Sequence, residues 1–263
     1  MQRLKMSDDR MIAIVDYGAG NLRSVANAIT KLGYRAKITS SSDEMFDASV
    51  VILPGVGAAA DTMENLKALG LVSPIRQLIA EGRPFFGVCI GLQVLFSGTE
   101  EGGGHECLGI IPGWVRKLPQ GQKIPHMGWN QVKQKISHKV FEGIPDFANF
   151  YFVHSYYVAP EDKSLVAGET SYGISIGSVI VRDTLVATQF HPEKSGQFGL
   201  KMYDNFIKLA IAAEISHKSI AKGAFDNSPI GSKWEEPSSM EDKEFTKQLI
   251  SRKNNNSLPK WGE

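Results

Sequence analysis

The chain has 263 residues, 42% of them hydrophobic, enough for one domain with a sizeable core. Its 29 Lys plus Arg are balanced by 28 Asp plus Glu, which argues against a general nucleic-acid footprint. Two cysteines make no disulfide framework, the Cys89-to-Cys107 spacing fits no zinc pattern, and no run of about 18 apolar residues occurs, so a soluble cytoplasmic protein without metal or membrane span is expected.

Residues 1–10, MQRLKMSDDR, read as a polar leader with no apolar stretch of signal-peptide length. MIAIVDY (11–17) is a short apolar run ending in a YGAGN turn, and NLRSVANAITKLG follows at helical spacing with Gly33 as its cap. YRAKITS reads as a strand. DASVVILPGVG repeats the pattern of an apolar strand followed by a Pro–Gly turn, LGLVSPIRQLIAEG reads as a helix, RPFFGVC as a strand and IGLQVLFSGT as a helix. This alternation predicts an α/β fold: an open, mostly parallel sheet flanked by helices, of flavodoxin-like type. From about residue 107 the texture changes to short strands joined by turns: ECLGIIPGWVRKL, HMGWNQVKQ, FYFVHSYYVAP, SLVAGETSYG, ISIGSVIVRD and TLVATQFHP. They predict an antiparallel excursion, closed by a helix over GLKMYDNFIKLAIAAEI (199–215). The one domain thus expected spans 11–215. Residues 216–263 are poor in aliphatics and rich in Ser, Asn, Lys and Glu, and read as a flexible polar tail. One helix is conceivable within it, capped by Ser238 and Glu241 with Phe245 and Leu249 on one face.

GVCIG (87–91), set between an apolar strand and a helix, has the shape of a nucleophile elbow. Gly87 and Gly91 leave room for a tight turn, and a helix starting after Cys89 would aim its positive end at the sulfur. A small buried core cysteine is the competing reading, and for Cys107 it is the better one. A cysteine nucleophile needs a base, and the base an orienting group. Of six histidines, His191 stands out in FHPE: Pro192 biases it to an extended conformation, in which Glu193, two residues on, shares its side of the chain. Donors for an oxyanion are available from the Ile90 N–H and from the PGVG turn at Gly55, Val56 and Gly57. DYGAGN holds Gly18 and Gly20 of a dinucleotide fingerprint, but Arg23 stands where the third glycine belongs, so that reading is rejected.

These residues together resemble the class I glutamine amidotransferases, marked by G-x-C-x-G-x-Q, here GVCIGLQ (87–93), and a late H-P-E, here 191–193. VDYGAGNLRS, LPGVG, PHMGWN, YFVHSYY and FHPEKSG extend the resemblance, from about residue 11 to 213, to the glutaminase subunits of imidazole glycerol phosphate synthase.

The resemblance implies that Cys89 attacks the glutamine side-chain amide, that His191 shuttles the proton and that Glu193 orients His191. It also implies that Gln93 contacts the substrate, and that the backbone at His154, Ser155 and Tyr156 holds its α-amino and carboxylate groups. No metal or organic cofactor is implied. The implied partner is a (β/α)8 cyclase/synthase subunit of HisF type, in a heterodimer, which uses the ammonia to make imidazole glycerol phosphate and AICAR in histidine biosynthesis. Asn21, Trp129, Tyr156 and Lys194 match positions facing that partner. Two other functions stay open on sequence: a paralogous glutaminase serving an amidotransferase that modifies surface sugars, and a non-catalytic regulatory module on the same fold.

Overall fold

The structure is a computed structural model that describes residues 10–18 and 21–223, with side chains as far as Ala213. The chain divides into a compact unit ending at Ser219 and a second unit, Ile220–Glu263, of which only the helical residues to Gly223 are described. The expected leader up to residue 9, the expected tail from residue 224 on and its Ser238–Leu249 helix lie outside the described residues.

The first unit opens with β1 (Met11–Val15), α1 (Leu22–Lys31), β2 (Arg35–Thr39), α2 (Ser42–Asp47) and β3 (Val50–Leu53). Then come α3 (Ala59–Ala68), α4 (Val72–Ala80), β4 (Phe85–Val88) and the single turn α5 (Ile90–Gln93). The strand-rich part holds β5 (Phe96–Thr99), β6 (His105–Glu106), β7 (Ile111–Lys117), β8 (His126–Gln134), β9 (Ala148–His154) and β10 (Tyr156–Pro160). It ends in β11 (Val166–Tyr172), β12 (Ile174–Arg182) and β13 (Leu185–Thr188), before the long helix α6 (Gly196–Gly223).

One open sheet runs in the order β2-β1-β3-β4-β13-β12-β10-β7-β5-β6, with β11, β8 and β9 branching from β12. The block from β2 to β13 is parallel throughout, and the strands beyond it are joined mainly by antiparallel ladders, the β5–β7 pair excepted. The architecture is therefore the expected parallel sheet with an antiparallel excursion. VVIL of β3, FFGV of β4 and LVAT of β13 are buried along their whole length, as parallel strands covered on both faces must be. Alternate side chains serve opposite layers. Val51, Leu53, Phe85 and Ala187 pack with α3 and α4, while Val50, Ile52, Phe86 and Val186 pack with α1 and α6. On the second face Phe86 meets Tyr203 at 5.1 Å and Phe206 at 5.0 Å between ring centroids, which fixes α6 across β4.

Three local expectations change. IGLQVLFSGT is not one helix: helix geometry ends at Gln93 and β5 begins at Phe96. The carbonyls of Val94, Leu95 and Phe96 are taken by the amides of residues 108–111, so they are not free to continue a helix. FYFVHSYYVAP breaks at Ser155 into β9 and β10, which belong to different ladders. The closing helix runs on to Gly223, because SHKSIAK contains no residue that stops it.

Candidate active site

The parallel block sets the site. Leu53 lies opposite Gly87 in the β3–β4 ladder, and Thr188 lies opposite Val88 in the β4–β13 ladder. Three chain segments therefore leave the sheet side by side at its carboxyl edge, where ligands of open α/β sheets bind: the PGVG turn, Cys89 and the segment that leads to His191.

Cys89 has φ 54 and ψ −103, a conformation that L side chains avoid, and its N–H is tied to the Thr188 carbonyl at 2.7 Å. Both elbow glycines are required by close approach. A methyl at Gly87 would come within 2.8 Å of the Gly91 carbonyl oxygen, and a methyl at Gly91 would overlap the Leu53 carbonyl. Because α5 has only four residues, the expected helix dipole behind Cys89 is largely missing.

His191 and Glu193 are fully buried, with Nδ1 of the imidazole 2.8 Å from Oε1 of the carboxylate. The pair is held in a 3-10 turn, Pro192–Lys194, in which the Lys194 N–H bonds the His191 carbonyl. Burial alone pushes the imidazole down. The Cys89 and Glu193 hydrogen bonds and charges outweigh it and hold His191 up at about 9. Its other nitrogen, Nε2, is buried and has no ordinary partner among the described residues, which leaves it for Cys89.

A cavity of about 350 Å³ opens over the sulfur. It is lined by Val56, Gly57 and Ile90 on one side, by Gln93, His154, Ser155 and Tyr156 opposite, and by His191 and Lys194. Gly55 lies beneath it, where a side chain would strike the Tyr17 hydroxyl and come within 3.1 Å of Ile90 Cβ. Gln93 is buried and spends its amide N–H groups on the Tyr156 carbonyl (3.0 Å) and on Gln189 (3.2 Å). Gln189 in turn lies 3.8 Å from the sulfur.

The His154 ring braces the wall. Its Nδ1 bonds the Tyr156 carbonyl at 2.8 Å and its Nε2 pairs with His126 Nδ1 at 2.9 Å, while Asn130 reaches His126 Nε2 at 3.2 Å. Donation from Asn130 to His126 to His154 to Tyr156 requires both rings neutral. Burial pushes His126 down to about 4 and His154 to about 3, in keeping with that chain.

Sequence reasoning missed three lining residues: Glu101, Pro125 and Val153. Glu101 accepts from the Ala59 N–H at 2.7 Å, at the start of α3, whose Ala58 offers no side-chain cap. No local pattern marks it, since it sits in a glycine-rich turn and reaches the cavity only through the fold.

Of the positions expected to face a partner, Trp129 is 57% exposed beside Met127 at 61%, and Lys194 is exposed at the cavity mouth. Trp129 is thus no core residue; it meets the half-buried Tyr151 edge to face at 6.0 Å. Tyr156 lines the cavity. Asn21 is half-buried, and its amide donates to Glu193 Oε1 at 2.6 Å.

A family model for class-I glutamine amidotransferases matches residues 13–209. Over 201 residues the chain is 57% identical to the imidazole glycerol phosphate synthase subunit HisH of Dehalococcoides mccartyi, covering 76% of this chain and 98% of that protein. The same-named subunit of Desulfitobacterium hafniense is 50% identical over 198 residues, 75% of this chain and 94% of that one. Among solved structures, a chain of PurLQS from Thermotoga maritima shares the fold with TM-score 0.61 at 15% identity, over 76% of this chain and 99% of that one. A structure described as a glutamine amidotransferase does so with TM-score 0.59 at 20% identity, over 75% and 98%. The chain belongs to the class I glutamine amidotransferase family and, within it, to the group that contains the HisH subunits.

Proposed function

We propose that this chain is the glutaminase subunit of an imidazole glycerol phosphate synthase, with Cys89, His191 and Glu193 as its triad. The observation that carries the triad is a cysteine on a strained elbow next to a buried imidazole–carboxylate pair at 2.8 Å. The proton shared by Cys89 and His191 lies on the imidazole, which is held up at about 9, when sulfur attacks the side-chain amide carbon of glutamine. The Ile90 N–H and the turn at Gly55, Val56 and Gly57 bind the oxyanion. The C–N bond breaks, His191 delivers its proton to the leaving nitrogen, and ammonia departs. Water, losing a proton to His191, opens the thioester to glutamate, which restores the proton shared with the sulfur. Glu193 holds the imidazole in the required tautomer throughout.

The cavity suits the substrate. Glu101 has one carboxylate oxygen on Ala59 and its other free for the α-ammonium group. The backbone of His154, Ser155 and Tyr156 holds the α-carboxylate, and the neutral His126–His154 chain keeps that wall in place. Gln93 acts as a brace beneath it.

Ammonia released into water becomes ammonium and is lost as a nucleophile. A (β/α)8 subunit docked over Trp129, Met127 and Lys194 would receive it directly, and the relatives' naming as a subunit of a synthase supports a partner. Gly57, at φ 103, gives the oxyanion turn the freedom to be aligned only when the partner is loaded. The test is glutamate release by the chain alone, with a (β/α)8 synthase subunit, and with that subunit plus its nucleotide ligand. One well-placed oxyanion donor is worth roughly 3 kcal/mol, so a rise of at least about a hundredfold is expected in the loaded complex. Full-speed turnover by the lone chain would remove the gating, and no Cys89-dependent glutamate in any arm would remove the function.

A further inference from the structure

Asn21 stands at the N-cap of α1, where a short polar side chain ordinarily accepts from the N–H groups of the first turn. Here it makes no cap hydrogen bond. It also adopts φ 72, in the left-handed region that asparagine tolerates better than other non-glycine residues. The backbone thus takes a costly conformation and the helix end goes without its side-chain acceptor. What the side chain gains is a single contact, its amide nitrogen on Glu193 Oε1 at 2.6 Å, 172 residues away in sequence. His191 Nδ1 uses that same oxygen, at 2.8 Å. The second carboxylate oxygen, Oε2, is buried with no ordinary partner, and so is the Tyr203 hydroxyl of α6. Burial first, and then the Glu193 charge, raise that hydroxyl well above the usual tyrosine range, so it stays protonated and able to donate.

Resting on the glutaminase reading above, we infer that Asn21 is a positioning residue that clamps Glu193, with the Tyr203 hydroxyl serving its other oxygen. A buried carboxylate needs more donors than one imidazole supplies. Without Asn21 the carboxylate is free to rotate about its last bond, and the Nδ1–H of His191 loses its fixed acceptor. The imidazole then no longer presents Nε2 to the sulfur in a constant direction. The clamp also joins α1 and α6, on the same face of the sheet, to the catalytic turn, so both helices report on the triad.

The test uses the full chain with its (β/α)8 partner and compares Asn21→Ala, Asn21→Asp and Tyr203→Phe with the wild type. Asn21→Ala lowers kcat about ten- to a hundredfold with KM little changed, the loss of one hydrogen bond to a charged group. Asn21→Asp separates clamp from scaffold. Aspartate caps helices as well as asparagine and tolerates the left-handed region, so a purely structural role predicts near wild-type turnover. A clamp predicts the order Asn, then Ala, then Asp, because a second carboxylate against Glu193 repels it. It further predicts that the Asp variant regains ground against wild type as pH falls and the two carboxylates share a proton. The titratable side chains facing that pair are His191 and Tyr203. Tyr203→Phe keeps the packing on Phe86 and lowers kcat about tenfold. Aspartate turning over like asparagine at every pH, or alanine and phenylalanine variants at wild-type kcat, would overturn the clamp. Wild-type activity that is absent or independent of Cys89 would overturn the glutaminase reading instead.

Discussion

A methyl group added at Gly91 tests how tightly the elbow is built. Its Cβ would sit 2.9 Å from the carbonyl carbon of Leu53 and closer still to the oxygen. The obstacle is backbone, so no rotamer change relieves it. Leu53 is the last residue of β3 and is paired opposite Gly87 of β4, and moving its carbonyl strains that ladder and the PGVG turn that follows. Overpacking of a rigid core costs about 1–3 kcal/mol, and a backbone obstacle belongs at the upper end. For a domain of this size roughly 3 kcal/mol lowers the melting temperature by about 6–12 °C. The PGVG turn, proposed above to bind the oxyanion, moves with Leu53, so kcat falls as well. Gly33→Ala is the control: open space surrounds it, its φ is 90, and it is far from the site. There the cost is backbone strain alone, about 1 kcal/mol, with kcat unchanged. Thermal melts and glutamate release on both variants decide the matter. Gly91→Ala melting within about 2 °C of wild type with normal turnover would refute the packing argument.

Cys89 is expected to be labelled by a glutamine-like electrophile well ahead of Cys107, whose thiol burial and then the Glu101 charge push up to about 11; peptide mapping that finds Cys107 modified first would sink the assignment. Cys89→Ser should lower glutamate release by about a thousandfold or more, measured in the loaded complex. The His191 environment also predicts a pH dependence of stability. An imidazole raised from 6.5 to about 9 stabilises the fold fully below 6.5, and that contribution is lost as pH rises through 9. Urea unfolding of wild type and His191→Gln should show a stability gap of up to about 3 kcal/mol near neutrality that closes by about pH 10. A gap that widens with pH would contradict the sign.

The parallel half of the fold was legible because β1, β3 and β4 are continuous apolar runs, and because Gly33 and Gly82 end their helices with positive φ. The placement of Cys89 beside His191 and Glu193 was legible for a related reason: glycine at 87 and 91 and proline at 192 are constraints on backbone, which sequence displays directly. The strand β5 was not. IGLQVLFSGT is apolar on every side, so a buried helix and a buried strand look alike in it, and only the amides of residues 108–111 decide between them. Helix α2 carried a readable signal that was passed over, Ser41 accepting from the Glu44 N–H at capping-box spacing. Glu101 and Asn21 lay beyond sequence reasoning, since their roles come from partners 42 and 172 residues away.

Cys89 and His191 follow neighbouring strands, β4 and β13, yet about a hundred residues separate them along the chain. The antiparallel excursion has to be made and threaded past before β13 can take its place beside β4. During synthesis at roughly 5–20 residues per second, Cys89 therefore leaves the ribosome some 5–20 s ahead of His191. Through that interval the thiol has no imidazole beside it. Catalytic competence arrives only with the last strand and with the helix that locks Phe86 under Tyr203 and Phe206. A nascent or truncated chain is thus chemically quiet, and glutamine is safe from every copy that has not finished folding.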